Sequence, residues 1–249
     1  MLTFLSSRSA IDEYKVPVFI AKMRKNKHNE LEEPWVMNKR LIVVSGFSGA
    51  GKGTVLKRVL EIEQIVLREK SKVSLSISDT TRPYRNSSDH YSFISKKELS
   101  DKVTQGYYLE HNEYNGNWYG TPIGPILDTE GTIILEIDVN GMHEVKDNKK
   151  LKGFEITTVF VAADADELLD RLHKRGDGQY EITCRINTAL KEAEHILEYD
   201  YVLVNEDIDE TALRLWAIVL GIPVTGDTWD NKAFCACMAQ LQKGDLYGY

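Results

Sequence analysis

An α/β fold, with a parallel sheet layered against helices, is the class this sequence predicts, and three observations predict it. Short apolar runs recur at 41–46, 132–139, 154–163 and 199–205, the form taken by strands buried on both faces. Between them lie longer stretches with apolar residues at helical spacing, and strands that alternate with helices pair in parallel. The first run, "LIVVSG", passes into Gly46-x-x-x-x-Gly51-Lys52 and then a helical pattern. In that strand–loop–helix context, glycines let backbone N–H groups curl inward around a phosphate.

Residues 1–38 show no strong periodicity and read as an N-terminal extension. After the first strand, "GKGTVLKRVLEIEQIVLREK" places Val55, Val59, Leu60 and Ile62 among charges and predicts a helix. "KVSLSIS", 72–78, alternates and predicts one strand. From Thr80 to Thr121 aromatic residues crowd short alternating segments, which predicts a strand-rich insert. Within it, Ser95-Lys96-Lys97-Glu98 has capping-box spacing and predicts one helix. "TIILEIDV" and "FEITTVFVAA" follow as buried strands, with Asp138 at the end of the first. "DADELLDRLHKRG", 164–176, has an N-cap aspartate, leucines at helical spacing and a glycine stop. Residues 179–198 continue as helix, "YDYVLVN" is the last strand and "DETALRLWAIVLG" the last helix. The tail, 222–249, carries Trp229, Phe234, Leu246, Tyr247 and Tyr249; it is expected to dock, at a place the sequence does not give.

The chain has 249 residues, 42% hydrophobic, which suits one generous domain or a core domain with additions. Its formal net charge of −7 argues against a broad nucleic-acid-binding face and leaves room for a local anion pocket. The basic run "KMRKNK", 22–27, is followed by Glu30, Glu32 and Glu33 and reads as a solvated face or linker. Cys184, Cys235 and Cys237 are too few for a disulfide framework, and a Cys-x-Cys pair without nearby histidines is a poor zinc site. Reduced thiols and a cytoplasmic location are expected. No apolar run approaches the ~20 residues of a membrane span. "MLTFLSS" lacks the basic start of a signal peptide, and Asp12 and Glu13 argue against a transit peptide.

Lys52 is spaced to reach the β- and γ-phosphates of a nucleotide. The strict pattern then places Ser or Thr, whose hydroxyl meets Mg²⁺. Here Gly53 stands in that place and the hydroxyl arrives at Thr54. The implied ligand is Mg–ATP, with the metal held mainly by phosphates and water; Thr54 equally suits a plain helix position. In "SDTTRPYR", Arg82 and Arg85 flank a stiffening proline, and two guanidinium forks so placed can grip one phosphate. Tyr91 and Tyr119 could add hydroxyl donors. Taken alone, such an arginine pair also suits surface charge.

The order of "SGFSGAGKGT", "SDTTRPYR", "YSF", "LEHNEYNGNWYGT", "LEIDVNG", "RLHKRG" and "YDYVLVN", over roughly residues 40–220, resembles a guanylate kinase. The resemblance implies an α/β P-loop NTPase three-layer core with a parallel sheet, a small strand-rich NMP-binding insert at about 79–121 and a short lid at about 171–185. That domain spans 39–221, between the extension 1–38 and the tail 222–249. It implies transfer of the γ-phosphate of Mg–ATP to GMP or dGMP. By the same resemblance Gly46, Ser48, Gly49, Ala50, Gly51, Lys52, Gly53, Thr54 and Asn205 serve ATP. Arg82, Arg85, Tyr91 and Tyr119 hold the GMP phosphate, and Ser78, Glu110 and Thr121 read the guanine. Asp138 lies between the two sites, and Arg171, Arg175 and Arg185 are the lid arginines. Lys52, Arg82 and the lid arginines form the catalytic set. No protein ligand to Mg²⁺ is direct; Thr54 or Asp138 could act through water.

The residues support this independently in places. Glu110 sits among aromatics, where a lone carboxylate needs a partner. Guanine offers adjacent N1–H and N2–H₂ donors, and adenine has no such pair. An exposed strand glutamate is the plainer alternative. Departures from the family pattern fall in loops: "NSSDH", 86–90, is short, with His90 where an acidic residue is common; 122–130 is short; and "GDGQ" follows the lid helix. Two rival readings remain open. A kinase for another monophosphate predicts no carboxylate at Glu110. A guanylate-kinase-like protein-binding module usually lacks the ATP loop or the lid arginines, and Lys52 and Arg175 are present. ATP and GMP are the expected partners, without nucleic acid or membrane; the oligomeric state is open.

Overall fold

"RLIVVSG" forms β1 (Arg40–Gly46), buried along its whole length. It pairs in parallel with β7 (Thr132–Glu136) on one side and β8 (Glu155–Ala162) on the other. β2 (Val73–Leu75) and β9 (Tyr201–Val204) complete a five-stranded parallel sheet in the order β2-β7-β1-β8-β9. β1, β7 and the second half of β8 are largely apolar runs because both their faces are covered. The computed structural model describes residues 39–67, 73–84, 91–114 and 116–242. The extension 1–38 with its basic run, Arg85, the loop residues "NSSDH", and the tail residues Leu246, Tyr247 and Tyr249 lie outside the described residues.

α1 (Lys52–Leu67) packs against α7 (Ile208–Val219), where Trp216 Nε1 donates to the buried Glu63 carboxylate at 2.6 Å. Apolar residues of both helices join those of the sheet, of α4 (Val139–Lys146), α5 (Ala165–Lys174) and α6 (Gln179–Ala193) in one core. Arg40, at the start of β1, donates to the carbonyls of Val219 (2.6 Å) and Ile218 and so ties the central strand to the end of α7.

A second sheet is mixed, in the order β4-β3-β6-β5: β4 (Tyr91–Phe93), β3 (Ser78–Thr80), β6 (Asn117–Pro122) and β5 (Tyr108–Tyr114). It carries α2 (Lys96–Thr104), and Ser95 Oγ accepts from Glu98 N at 3.1 Å, as the capping-box spacing predicts. Four features differ from the sequence reading. "KVSLSIS" is not one strand: β2 belongs to the first sheet and β3 to the second, with Ser76 and the exposed Ile77 as the corner between them. β7 ends at Glu136, so Asp138 is not a strand residue but the N-cap of α4. A short helix, α3 (Ile123–Asp128), follows β6 where no helix was expected. α6 stops at Ala193 and a 3₁₀ turn, Ile196–Glu198, finishes the stretch read as one helix.

The described part of the tail, 222–242, docks, as expected. Its backbone follows β9, where Asp227 N donates to Val202 O at 2.9 Å and the Asp227 carboxylate accepts from Val204 N and Arg214. α8 (Asn231–Gln242) then packs on α6 and α5, burying Phe234 and Met238. Among the described residues no helix is long and apolar enough to cross a membrane.

Candidate active site

The loop between β1 and α1 curls because two of its positions tolerate only glycine. A Cβ on Gly46 (φ 152°) would lie 2.1 Å from Val161 O, and one on Gly51 (φ 87°) would lie 2.7 Å from Asn205 Nδ2. Lys52, the first residue of α1, folds over this loop and donates to the carbonyls of Gly46 (2.6 Å) and Phe47 (3.2 Å). The loop is braced from outside. Ala50 O accepts from Asn205 Nδ2 (2.7 Å) and Arg171 Nη1 (3.0 Å), and Arg171 Nη2 donates to Asn205 O at 2.9 Å. Asn205 is fully buried and its Oδ1 has no hydrogen-bond partner.

The other two arginines expected in the lid meet at one carboxylate. Asp177 pairs with the partly exposed Arg175 (2.6 Å) and with Arg185 (2.8 Å), while Arg185 Nη1 donates to Ser48 Oγ of the loop. Gly176 (φ 82°) ends α5 and turns the chain toward this carboxylate. Gly53 and Thr54 differ in what they offer. A Cβ on Gly53 would meet nothing within 4 Å, and Thr54 is exposed and is not among the residues lining the cleft.

Across a cleft open to solvent, with room of about 130 Å³, the second sheet faces Gly46 and Lys52. Glu110 and Thr121 lie directly opposite one another on β5 and β6. Thr121 Oγ1 donates to Glu110, and Ser78 Oγ of β3 lies 3.1 Å from Thr121 Oγ1. All three are buried, so Glu110 is not an exposed strand glutamate. Burial pushes the Glu110 carboxyl up to about 7; the Thr121 hydrogen bond opposes this, and the nearby Asp138 and Glu144 charges add to it.

Arg82 lies over the rings of Tyr91 (4.9 Å) and Phe93 (5.3 Å), and Tyr119 meets Tyr91 edge-on at 5.8 Å. The two threonines before Arg82 set the turn. Thr80 Oγ1 accepts from Arg82 N, and Thr81 Oγ1 accepts from Trp118 N. Asp79, also buried, holds Lys102 (2.9 Å) and the Tyr108 hydroxyl (2.7 Å). Arg82, Tyr91 and Tyr119 thus come together, while Arg85 lies outside the described residues.

Between the walls Asp138 accepts from Gly141 N (2.8 Å) and Asn112 Nδ2 (2.7 Å). Burial raises its pKa, opposed by those hydrogen bonds and by Lys52. Five cleft residues escaped the sequence reading: the apolar Ile137 and the polar Asn112, Tyr114, Glu136 and Glu192. Asn112 and Tyr114 continue the alternation that starts at Glu110, so strand period alone places them on its face. Glu192 lies about two turns beyond Arg185 on α6. It is buried, hydrogen-bonded to Tyr114, with Oε2 unpartnered; burial pushes its carboxyl up to about 7. Carboxylate oxygens of Glu136, Asp138 and Glu192 therefore share a cleft with Lys52, and such hard oxygen donors fit a hydrated Mg²⁺ better than a dehydrated one.

Residues 38–220 match the family model described as guanylate kinase. The guanylate kinase of Desulfitobacterium hafniense is 39% identical over 188 residues, 72% of this chain and 88% of that protein. The guanylate kinase of Clostridium perfringens is 36% identical over 72% of this chain and 82% of its own length. Among solved structures, guanylate kinase from Anaplasma phagocytophilum superposes with a TM-score of 0.56 at 26% identity, covering 76% of this chain and 88% of that one.

Proposed function

This chain belongs to the guanylate kinase family, and from that premise we propose that it transfers the γ-phosphate of Mg–ATP to GMP, giving ADP and GDP. The observation that carries the reading is the buried chain Ser78–Thr121–Glu110, facing Lys52 across the cleft. A carboxylate held there accepts from N1–H and N2–H₂ of guanine together, and the two hydroxyls extend the same polar edge. Adenine, with an acceptor at N1, would leave the carboxylate unpaired.

In this reading Gly46, Ser48, Gly49, Ala50, Gly51, Lys52, Gly53 and Thr54 cradle the phosphates of ATP, and Asn205 with Arg171 holds the loop from behind. Arg82, with Tyr91, Tyr119 and Arg85, holds the GMP phosphate. One of that phosphate's oxygens attacks the γ-phosphorus. As its bond forms, the bond to the bridging oxygen breaks and ADP leaves with the electron pair. No protein nucleophile is needed; the work is alignment and charge stabilisation. Mg²⁺ bound with the nucleotide supplies neutralisation of the β- and γ-phosphate charge. Asp138, Glu136 and Glu192 would meet its water shell, and neither Gly53 nor the exposed Thr54 offers a direct ligand from the cleft. Arg175 and Arg185, gathered on Asp177, are the lid pair that would turn to the transferring group on closure. We assign the second sheet, with the corner at Ser76 and Ile77, as the unit that closes on GMP. Closing excludes water, which would otherwise hydrolyse ATP. Three free cysteines fit a reducing, cytoplasmic setting.

A coupled assay of ADP formation with ATP and, in turn, GMP, dGMP, AMP, UMP and dTMP tests the proposal. Turnover with GMP or dGMP and little with the others is expected. Equal or greater turnover with AMP or a pyrimidine monophosphate would overturn it.

A further inference from the structure

The family match ends at residue 220, yet the chain continues into an ordered segment that reaches the phosphate loop. Phe47, second residue of that loop, is fully buried. Its ring stacks on Phe234 of α8 with centroids 4.5 Å apart and planes 6° apart, and Trp229, also of the tail, lies at 5.7 Å. Only the third ring, Phe160 at 4.9 Å, comes from within the matched region. The Asp227 carboxylate of the same segment accepts from Val204 N of β9, one residue before Asn205, which braces Ala50. α8 also lies on α5 and α6, the helices that bear Arg171 and Arg185.

We propose that the C-terminal segment, through Phe234 on Phe47, is a positioning element for the phosphate loop and so for the adenine nucleotide. The physical case rests on the loop's composition. Gly46 and Gly51 give it backbone freedom, and freedom costs binding unless something fixes the loop in its cradle form. The side chain at Phe47 is where fixing is most effective. Its own carbonyl accepts from Lys52 Nζ and from Ala50 N, so a shift of Phe47 carries both the lysine and the curl of the loop with it. Removing the Phe234 ring would leave a cavity beside a segment free to move into it. The GMP side gains nothing from this contact, because the Ser78–Thr121–Glu110 chain stands on the second sheet.

The proposal rests on the kinase reading for its kinetics, and direct ADP binding tests it separately. Full-length Phe234→Ala, shown folded by thermal unfolding, is compared with the unaltered protein for ADP and GMP affinity by calorimetry and for KM of ATP. ADP affinity should weaken about tenfold and KM for ATP rise in step, since small misplacements of positioning groups are costly. GMP affinity should hold, and Phe234→Leu, which keeps an apolar plug, should lose less. Should Phe234→Ala fail to fold, Trp229→Leu removes the second tail ring and carries the same reading. Unchanged ADP affinity, or equal weakening of ADP and GMP, would overturn the proposal. If the unaltered protein binds ADP but leaves GMP unphosphorylated, the kinase reading fails while the ADP comparison still decides this one.

Discussion

On the phosphate-loop wall of the cleft the cationic groups are already engaged, whereas the buried carboxylates that share the cleft are only partly paired. Lys52 has two carbonyls, Ala50 O has two donors, and Arg185 has Ser48 and Asp177. Across the cleft, Glu110 is buried with the hydroxyl and backbone of Thr121 as its donors, and Glu192, on the helix α6 that also bears Arg185, keeps one oxygen without a partner among the described residues. Both carboxyls are pushed up to about 7 by burial. The contrast teaches that the donor site is shaped by backbone and built in advance, while the acceptor site is shaped by side chains whose partners arrive with the substrate.

Four substitutions or titrations break or sharpen that contrast. The largest effect belongs to Lys52→Ala. Turnover should fall on the order of 10²-fold or more, as loss of a preorganised charge does, with thermal unfolding nearly unchanged because the hydrogen bonds of Lys52 go to carbonyls of its own loop. Near-normal turnover would remove Lys52 from the catalytic set.

Next is Glu110→Gln. Charged hydrogen bonds contribute about 1.5–3 kcal/mol each, so kcat/KM for GMP should drop by one to two orders of magnitude, roughly. KM for ATP should stay, and the GMP-to-AMP preference should narrow. An unchanged ratio of the two kcat/KM values would show that the base is read elsewhere.

Third is pH. The folded-state pKa of Glu110 and of Glu192 lies above the ordinary value of 4.5, so the native state holds protons that the unfolded state has released. Their contribution to stability is full below that ordinary value and is lost as pH rises through about 7. Tm should fall by several degrees between roughly pH 5 and pH 8.5, and Glu192→Gln should flatten the slope. GMP affinity should move the other way, tightening as pH rises, because guanine's donors favour the charged carboxylate. A flat Tm profile would mean that water reaches these carboxyls.

The smallest effect is Gly53→Ser. The position has room, so the substituted chain should fold and, on a helix, gain roughly 0.5 kcal/mol. A direct hydroxyl ligand should lower the Mg²⁺ concentration needed for half-maximal turnover. No change would indicate that the carboxylates opposite already supply what the hydroxyl would.

The donor wall was far more legible in the sequence than the acceptor wall. A loop whose shape is dictated by Gly46, Gly51 and Lys52 leaves a fixed spacing, and spacing survives in one dimension. The pairing of Glu110 with Thr121 depends on a register between strands, visible only once β5 and β6 meet. Asn112 and Tyr114 were readable from the alternation of β5, but Glu192 had only its helical distance from Arg185. The corner at Ser76 and Ile77 was hidden because the alternation of "KVSLSIS" runs through it unbroken. The tail's aromatics announced that they would be covered, and nothing in them named Phe47 as the cover.

β1 is the first strand among the described residues and the middle strand of its sheet, with β7 and β8 as neighbours. During synthesis it therefore leaves the ribosome long before either partner exists. Until Thr132–Glu136 and Glu155–Ala162 follow, "RLIVVSG" presents two unpaired edges and two apolar faces to whatever is near. Pairings this distant in sequence close slowly, since the entropy of a long loop must be lost before the first ladder bond forms. Arg40 and Phe47, at its two ends, wait longer still, for Val219 and Phe234. The nascent chain is thus most exposed to misassociation through the very segment that later leads into the glycine loop, and a holdase that shields residues 40–46 would raise the yield of active protein without touching its final stability.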